Sequence, residues 1–521
     1  MKYVIGAKHI SFADVLKMHH EEEIDFDQEL IERVNKSHEN FKRHFAKEIP
    51  IYGVTTGFGD SCHRSVRNED SEILQDNLVS YLMMGTGKNL SKDVGASMLL
   101  FRIISLSRGY SGVSIELLNK MKELYNKKIF PVIPREGSLG ASGDLIPLAY
   151  IANNVRGQGR VYYKNEECDL ETLVASGVYT PHKLLPKEGL AMVNGTTSMT
   201  ALSFHNFQLG TYLNELAMLC SGWLCLTIHG RVEAFGTLVN NEAKKFAGQS
   251  FAAEKITEIL TKENYTGVSY HAINKNAEDG LTTHLVQDPY SLRCAPQVLG
   301  PVSDTLSMIE QWIEMEINGV SDNPLFDQED RLANGGNFYG GYLAHSMDYL
   351  KICMGNIADL MDRQLTLLIS EKTNRGLTPN LANWEGIDIE KRHLSHGLKG
   401  VHQNVSAITS DIMAKCIPNT IFSRSSESHN QDKVSLGMTA AVQSSEQLEV
   451  LVTVFACYLC CLAQAVDLRK IKLQGEVSKR YYDLVRSQIP FVEKDMRLDI
   501  GIMKLRDRLL VEAKERGHVF V

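Results

Sequence analysis

The sequence predicts a mainly α-helical protein with a smaller N-terminal part of mixed structure. Only 13 of its 521 residues are proline, which is about half of the usual ~5%. Apolar residues also recur at steps of three and four along residues 302–317, the spacing of one helix face. Since we find no internal repeat, low-complexity segment or Ser/Gly linker, these features favour one large helical unit over a string of small domains.

The elements are expected in the following order. The first 130 residues alternate short extended stretches with helical ones, and glycine-rich loops are expected at residues 52–59 and 85–87. From about residue 198 the pattern becomes strongly helical, and the helix over 302–317 is expected to stop at Gly319. Residues 347–369 and 443–468 are apolar around much of the helix circumference, as in helices buried in a bundle or between subunits.

The composition excludes several kinds of partner. Fifty-five Lys and Arg against 63 Asp and Glu give a net charge of −8, and no dense basic run offers a nucleic-acid surface. Charges interrupt residues 1–8 before the apolar segment of a secretory signal can form. The longest uncharged run, residues 450–466, is too short and too polar for a membrane span and is interpreted as a buried helix. We therefore expect a cytoplasmic protein with no membrane or nucleic-acid partner.

Three weaker motifs give no cofactor site. The cluster Cys457, Cys460 and Cys461 lies among apolar residues and is interpreted as buried, reduced thiols. GTGK at residues 85–88 lacks the first glycine and the hydroxyl of a phosphate loop. His393-x-x-His396 has no acidic or cysteine ligand nearby to complete a metal site. We therefore expect neither a nucleotide nor a metal.

The segment GSLGASGDLIPLA at residues 137–149 is different in kind. One interpretation is a tight glycine-rich turn before a helix, with Ser142 or Asp144 as N-cap. Ala-Ser-Gly can also close on itself: the Gly143 nitrogen attacks the Ala141 carbonyl, and loss of two waters, one of which takes the Ser142 hydroxyl, leaves a 4-methylidene-imidazol-5-one (MIO). Gly143 has no Cβ to obstruct this approach. Because no natural side chain is strongly electrophilic, such a group would act as a built-in cofactor.

Five further blocks accompany this tripeptide. They are YGVTTGFG at residues 52–59, NGT at 194–196, QDPYSLRCAPQ at 287–297, DNP at 322–324 and GGNF at 335–338. In this order, the six blocks resemble the MIO-dependent aromatic amino-acid ammonia-lyase and aminomutase family, which includes the histidine, phenylalanine and tyrosine ammonia-lyases. Thr55 departs from the family's usual Asn.

The resemblance implies a histidine ammonia-lyase-like fold and assembly. Residues 1–200 would form an N-terminal domain that carries the Tyr52 loop and the Ala-Ser-Gly segment. Residues 201–521 would form a long antiparallel helical bundle that also serves oligomerisation. The implied assembly is a homotetramer whose active sites are shared between subunits.

The resemblance also implies roles for individual residues. Tyr52 would be the base that takes the β-proton, which requires nearby positive charge or hydrogen bonds to lower its pKa from about 10. Arg293 would bind the substrate carboxylate with its planar fork. The remaining implied contacts are hydrogen bonds to substrate and prosthetic group from Asn194, Gln287 and the catalytic Tyr290, and packing of Phe338 beside the ring.

Two charged residues have a second interpretation. Lys399 and Glu427 resemble the Lys and Glu of phenylalanine-lyase pockets, where a charged pair near the leaving amine tunes proton transfer. The alternative is two solvated surface charges.

The residues expected at the substrate ring favour a phenylalanine-like or tyrosine-like substrate. A ring-contacting pair follows LQDNL at residues 74–78, and here it is Tyr81-Leu82. Histidine lyases usually show Ser-His, tyrosine lyases often His-Leu and phenylalanine lyases Phe-Leu, so the pair is closest to the last. Histidine lyases also carry a Glu against the imidazole where this chain has Gln431. Lys433 beside it has no assigned role.

We therefore expect a carbon–nitrogen lyase that removes the α-amine from an aromatic or heteroaromatic α-amino acid and yields the arylacrylic acid, with Phe or Tyr preferred over histidine. Three alternatives remain open. The first is loss of trimethylamine from a histidine-derived betaine such as ergothioneine, whose thione Lys399 or Tyr81 would hold. The second is a 2,3-aminomutase that re-adds the amine at the β-carbon. The third is an inactive helical assembly protein.

Overall fold

The computed structural model describes residues 2–20, 23–47, 49–268 and 286–520, and it confirms the mainly helical prediction. The α-helices of this described part are α1 Phe12–His20, α2 Gln28–Ala46, α3 Ser71–Tyr81, α4 Lys92–Ser107, α5 Ile115–Asn126, α6 Leu145–Val155, α7 Leu170–Ala175, α8 Glu188–Val193, α9 Thr197–Thr227, α10 Ala247–Lys262, α11 Tyr290–Arg293, α12 Ala295–Asn318, α13 Gly341–Ile369, α14 Lys399–Ala414, α15 Gly437–Leu468, α16 Glu476–Gln488 and α17 Asp499–Arg516.

The strands of the described residues are short and form four small sheets. The strands are β1 Lys2–Ile5, β2 Glu23–Phe26, β3 Thr86–Asn89, β4 Phe130–Pro131, β5 Pro134–Glu136, β6 Arg160–Tyr163, β7 Glu166–Asp169, β8 Leu325–Phe326 and β9 Leu332–Ala333. The pair β1 and β2 is parallel, with Lys2 opposite Glu23 and Ile5 opposite Phe26. The pairs β3–β5 and β8–β9 and the three-stranded sheet β4–β6–β7 are antiparallel.

The chain divides into two compact units. The first unit comprises Met1–His205, Ile309–Asp348 and Pro418–Gln443, and the second comprises Asn206–Met308, Tyr349–Ile417 and Ser444–Val521. The first segment of the first unit ends five residues beyond the expected boundary at 200, but both units also take in later parts of the chain.

Helix α4 of the first unit is almost entirely buried. Fourteen of the 16 residues of this helix are buried. Its N-terminus is capped by Ser91, whose side chain accepts the Val94 amide, and Asp27 caps α2 in the same way at Leu30. Such caps satisfy amide groups that have no partner within the helix, so they define where the helix begins.

The predicted helix ends agree with the structure more closely than the predicted starts. α12 ends at Asn318, directly before Gly319, and α13 and α15 end at Ile369 and Leu468 as expected. Both of the latter helices begin six residues earlier than predicted, at Gly341 and Gly437. Each begins with a glycine, a residue of low helix propensity, so the pattern used for prediction does not extend to the true start.

Most of the apolar helix α15 belongs to the second unit. It is long and apolar enough to cross a membrane by length and composition, and 83% of its most apolar window is buried inside the protein. Cys457, Cys460 and Cys461 are free thiols with no exposed surface, which confirms their prediction as buried thiols.

A buried ion pair lies in the first unit. Lys187 Nζ is 2.6 Å from Asp322 Oδ2, and neither side chain is exposed. Lys187 precedes α8 in a left-handed backbone conformation, and burial lowers the pKa of its ammonium group. Breaking such a pair leaves one charge in a low-dielectric interior, which costs more than the pair itself contributes.

We predict that Lys187→Met lowers the free energy of unfolding by about 3–5 kcal/mol, because it leaves the Asp322 carboxylate buried without its partner. The double variant Lys187→Met/Asp322→Leu should recover part of this loss. Urea denaturation measures both, with Lys2→Met, which breaks an exposed pair with Glu23, as the matched control. Equal effects of Lys187→Met and Lys2→Met would contradict the prediction.

Candidate active site

The Ala-Ser-Gly segment lies directly before α6, pressed against the loop that contains Gly195. Gly143 and Gly195 form a parallel bridge, and Gly143 has φ +71°. A Cβ on Gly143 would lie 2.0 Å from the Gly195 carbonyl oxygen, and a Cβ on Gly195 would lie 2.3 Å from a nitrogen of Arg102. Only glycine therefore fits at either position.

Asp144 joins the two loops from inside the unit. Its carboxylate accepts hydrogen bonds from Ser138 Oγ at 2.8 Å and the Met199 amide at 2.7 Å, and its own amide donates to the Gly195 carbonyl at 2.7 Å. Asp144 is the N-cap residue of α6, but its side chain does not cap that helix. Burial raises the pKa of Asp144 to about 7, although the hydrogen bonds oppose this shift.

Asn194 links the second loop to the tripeptide. Its Nδ2 donates to the Ser142 carbonyl at 2.9 Å, while its buried Oδ1 has no partner among the described residues. Arg102 also holds this loop in place, because its Nη2 donates hydrogen bonds to the carbonyls of Ala191 and Asn194. The arrangement holds the carbonyl of Ser142 and leaves one buried acceptor beside it.

Tyr52 and Glu427 are held by adjacent backbone amides. The Gly59 amide donates to Tyr52 Oη at 2.9 Å, and the Asp60 amide donates to Glu427 Oε1 at 2.9 Å. A Cβ on Gly59 would lie 2.0 Å from Glu427 Oε1, so this glycine allows the close approach. Glu427 is the first of three consecutive non-glycine residues with φ between 50° and 65°.

The electrostatics of Tyr52 differ from the expectation. Burial raises the pKa of its phenol, the Glu427 carboxylate raises it further, and the Gly59 amide lowers it only partly. The lowering of the Tyr52 pKa that the role of base requires is therefore not supplied by the described residues of a single chain. A cation would have to approach the phenol for it to ionise near neutral pH.

One cavity of about 690 Å³ in the first unit brings most of the predicted site residues together. Ten of the fourteen line it: Tyr52, Tyr81, Leu82, Ala141, Ser142, Gly143, Asn194, Phe338, Glu427 and Gln431. They come from segments that are far apart in sequence, so their convergence is a property of the fold.

The other four predicted residues belong to the second unit and are not among the residues that line this cavity. Gln287 and Lys399 are exposed, and Tyr290 is 72% exposed. The Arg293 guanidinium carbon lies 4.5 Å from the centroid of the Tyr290 ring, and its Nε donates to the Asp288 carbonyl at 3.0 Å.

The cavity wall also contains residues that sequence reasoning missed. Leu78, Ile146, Leu190 and Tyr339 add apolar surface, and Asn430 donates from Nδ2 to Glu427 Oε2 at 2.8 Å. Leu78 is the last residue of the LQDNL motif. Because it lies one helical turn before Leu82, the sequence could have predicted that both side chains face the same cavity.

The structure shows the surroundings of Thr55 and Lys433, the two residues to which the sequence assigned no role. Thr55 does not line the cavity; its hydroxyl accepts the Ile51 amide at 2.8 Å and donates to the Ile49 carbonyl at 3.0 Å, which closes the loop internally. Lys433 does line the cavity, and it is the one cation among the described lining residues. Within the described part of the chain, no cluster of three or more His, Cys, Asp or Glu could hold a metal.

Comparison with known proteins identifies the family. The family described as "Aromatic amino acid lyase" matches residues 10–487. The chain belongs to this family. The histidine ammonia-lyase of Bacillus subtilis is 33% identical over 505 residues, which cover 95% of this chain and 94% of that protein. This aromatic amino acid lyase is therefore an enzyme of the ammonia-lyase type.

Two solved structures extend the comparison. The phenylalanine aminomutase of Pantoea agglomerans has a TM-score of 0.89 and 32% identity, covering 98% of this chain and 99% of that one. The ergothionase of Treponema denticola has a TM-score of 0.88, 21% identity and 99% coverage of both chains, which shows a shared fold. These likenesses confirm the predicted fold class.

We predict that Asp144→Asn flattens the pH dependence of stability. The folded-state pKa of about 7 lies above the unfolded value of about 4, so the stability that this group contributes is present below pH 4 and lost as the pH rises through 7. Relative to the variant, the wild type should lose up to about 4 kcal/mol across this window. Urea unfolding at pH 4.5 and pH 7.5 measures the difference; parallel curves for the two proteins would contradict it.

Proposed function

We propose that this enzyme is an ammonia-lyase for an α-amino acid with a phenyl or phenol ring, and that it yields the arylacrylic acid and ammonia. The observation that carries the proposal is the single cavity that combines the cyclisable tripeptide, Tyr52 and an apolar wall. An electrophile, a base and a ring site are the three parts that this elimination requires.

The residues of the tripeptide fit the MIO group. Ser142 is partly exposed in the cavity, Gly143 meets Gly195 without a Cβ between them, and the unpartnered Asn194 Oδ1 is available to a neighbouring donor. When formed, the group would supply an electrophile for the substrate amine. Asn194 and Arg102 would keep its position fixed.

Tyr52 would take the β-proton. Its oxygen already accepts the Gly59 amide, a bond that favours the phenolate, but burial and Glu427 oppose ionisation. The missing positive charge would come from Lys433 in the cavity and from Lys399 and Arg293 of neighbouring copies. Glu427 would then exchange protons with the departing amine.

The carboxylate of the substrate would be bound by Arg293. Its guanidinium packs on the Tyr290 ring, which fixes the fork while leaving donors for a bidentate contact. Gln287 and Tyr290 are exposed beside it in sequence, as groups that act on another copy would be.

The wall of the cavity favours a carbocyclic ring over imidazole. Leu78, Leu82, Leu190 and Phe338 offer apolar contact, and Gln431 replaces the carboxylate that would pair with an imidazolium. Tyr81 Oη has no hydrogen bond among the described residues, so it can serve a phenol oxygen. A tyrosine-like substrate satisfies both features.

The aminomutase reaction is the second candidate. It starts with the same elimination and differs in re-adding the amine at the β-carbon. The 32% identity to a phenylalanine aminomutase over nearly the whole chain supports it as the alternative on the same substrate class.

We further propose a homotetramer with shared active sites. In the second unit, α13 exposes Tyr349 and Ile352, and Met413 and Ile417 are exposed at and just beyond the C-terminal end of α14, with 39–59% of each residue in contact with solvent. Large apolar side chains at steps of three and four on long helices are typical of a subunit interface.

We predict that L-tyrosine or L-phenylalanine gives the conjugated arylacrylate at least ten-fold faster, by kcat/KM, than L-histidine gives its product. Ultraviolet absorbance follows the reaction, and chromatography of the products separates the lyase from the aminomutase. A preference for histidine, or turnover of ergothioneine alone, would contradict the proposed substrate. A β-amino acid as main product would establish the second candidate instead.

We predict that Tyr52→Phe and Arg293→Ala each abolish activity alone but complement each other in mixed tetramers. If a site takes Tyr52 and Arg293 from different copies, some sites in a mixed tetramer contain both residues. Reversible denaturation and co-refolding of equal amounts of the two variants should restore up to about one quarter of the activity. Mixtures of each variant with itself are the control, and no recovery in a tetrameric mixture would contradict shared sites.

A further inference from the structure

A second cavity in the first unit has features that the proposed reaction does not use. It measures about 500 Å³ and shares no lining residue with the cavity of the candidate active site. Arg33 and Arg108 line it, together with the Tyr110 ring and the side chains of Val320 and Leu325. A volume of this order suits a small molecule.

Among the described residues, the two arginines have no anionic partner. Arg33 donates to the Arg108 carbonyl at 2.9 Å, and Arg108 donates to the Lys8 carbonyl at 2.9 Å and to Asn318 Oδ1 at 2.7 Å. Neither forms an ion pair with a carboxylate in the described part of the chain. The two guanidinium groups carry ten N–H bonds in total, and they donate three hydrogen bonds to described residues: one from Arg33 and two from Arg108.

Of the two arginines, Arg108 gives the stronger evidence that an anion binds in this cavity. Only 7% of it is exposed, its Nε is buried without a partner, and its pKa is lowered by burial and by the charge of Arg33. A buried cation beside a second cation is costly unless an anion compensates for it. The nearby Glu314 does not, because its oxygens accept from His9 and the Phe12 amide.

The other residues of the cavity wall indicate which chemical group is attached to the anion. The Tyr110 ring lies 6.0 Å from the Arg33 guanidinium carbon, and Val320 and Leu325 complete an apolar side. A planar aromatic body with one carboxylate matches this combination: the carboxylate meets the guanidinium groups and the ring meets Tyr110.

The cavity is linked to the candidate active site by one short turn. Asn337 lines it and donates from Nδ2 to the Val320 carbonyl at 3.1 Å. Its neighbours Gly336, Phe338 and Tyr339 line the cavity that contains the tripeptide. A ligand that moves Asn337 therefore moves the residue proposed to pack beside the substrate ring.

We propose that this second cavity is an effector site for small aromatic carboxylates, the chemical class of the enzyme's product, and that its occupant changes turnover through the Asn337–Tyr339 turn. The product assignment rests on the proposed function. The carboxylate site does not, because its evidence is the unpaired arginines and the apolar wall.

Equilibrium dialysis with benzoate and with inorganic phosphate tests the site without any need for activity. The variant is Arg33→Gln, which removes the less buried cation. The matched control is Arg43→Gln on the same helix, whose partner is the exposed Asp330. We expect the wild type and the control to bind one more benzoate per chain than Arg33→Gln does. If Arg33→Gln still binds this additional benzoate, we expect its affinity for it to be at least ten-fold lower. Equal binding by all three proteins, or tighter binding of phosphate than of benzoate, would overturn the assignment.

Kinetics test the coupling. With the arylacrylate product as inhibitor, the wild type and Arg43→Gln should show a decrease in apparent kcat, and Arg33→Gln should show an increase in apparent KM alone. A kcat effect that is the same in all three proteins would overturn the link through Asn337. If no amino acid is turned over, the proposed function fails while the dialysis result still decides whether the site exists.

Discussion

The close approach of Gly143 to Gly195 is the constraint on which the rest of the site depends. Two backbone segments meet with no side chain between them, and a Cβ on Gly143 would lie 2.0 Å from the opposing carbonyl oxygen. Asp144 bonds to both loops, and Arg102 holds the carbonyl of Asn194. Because a Cβ at Gly143 or Gly195 would come too close to its neighbours, a larger residue at either position requires one of these groups to shift.

A glycine also allows a close approach in the loop that contains Tyr52. Gly59 has no side chain, so the Glu427 carboxylate can approach the loop, and consecutive amides then orient the phenol and the carboxylate. The backbone thus sets the distance between the proposed base and an acidic partner. The backbone does not supply the positive charge that would ionise Tyr52, and we propose Lys433 of the cavity and cations of neighbouring copies as its source.

Much of the fold and part of the site were predictable from sequence. The ends of α12, α13 and α15 were correct because apolar periodicity and Gly319 mark them directly. The starts of α13 and α15 were missed because each helix opens with a glycine, a residue of low helix propensity. The convergence of Tyr52, Asn194 and Glu427 in one cavity was accessible only through motif resemblance, since no local pattern brings such distant residues together.

Other features could not be predicted. The pKa of Tyr52 depends on burial and on Glu427, which lies 375 positions further along the chain. The hydroxyl of Thr55 closes its own loop, so the departure from the usual Asn is explained only by its three-dimensional contacts. The pairing of Arg33 with Arg108 across a cavity is likewise invisible in sequence, because each residue alone is an ordinary surface-type cation.

We infer that residues 141–143 form an electrophilic group in this loop, and the mass of the peptide that contains them, measured after digestion of the denatured protein, tests this most directly. We predict that this peptide is lighter than its sequence mass by the mass of two water molecules, and that Ser142→Ala restores the water whose oxygen is the Ser142 hydroxyl. A wild-type peptide of full sequence mass, or an unchanged two-water deficit in Ser142→Ala, would contradict it.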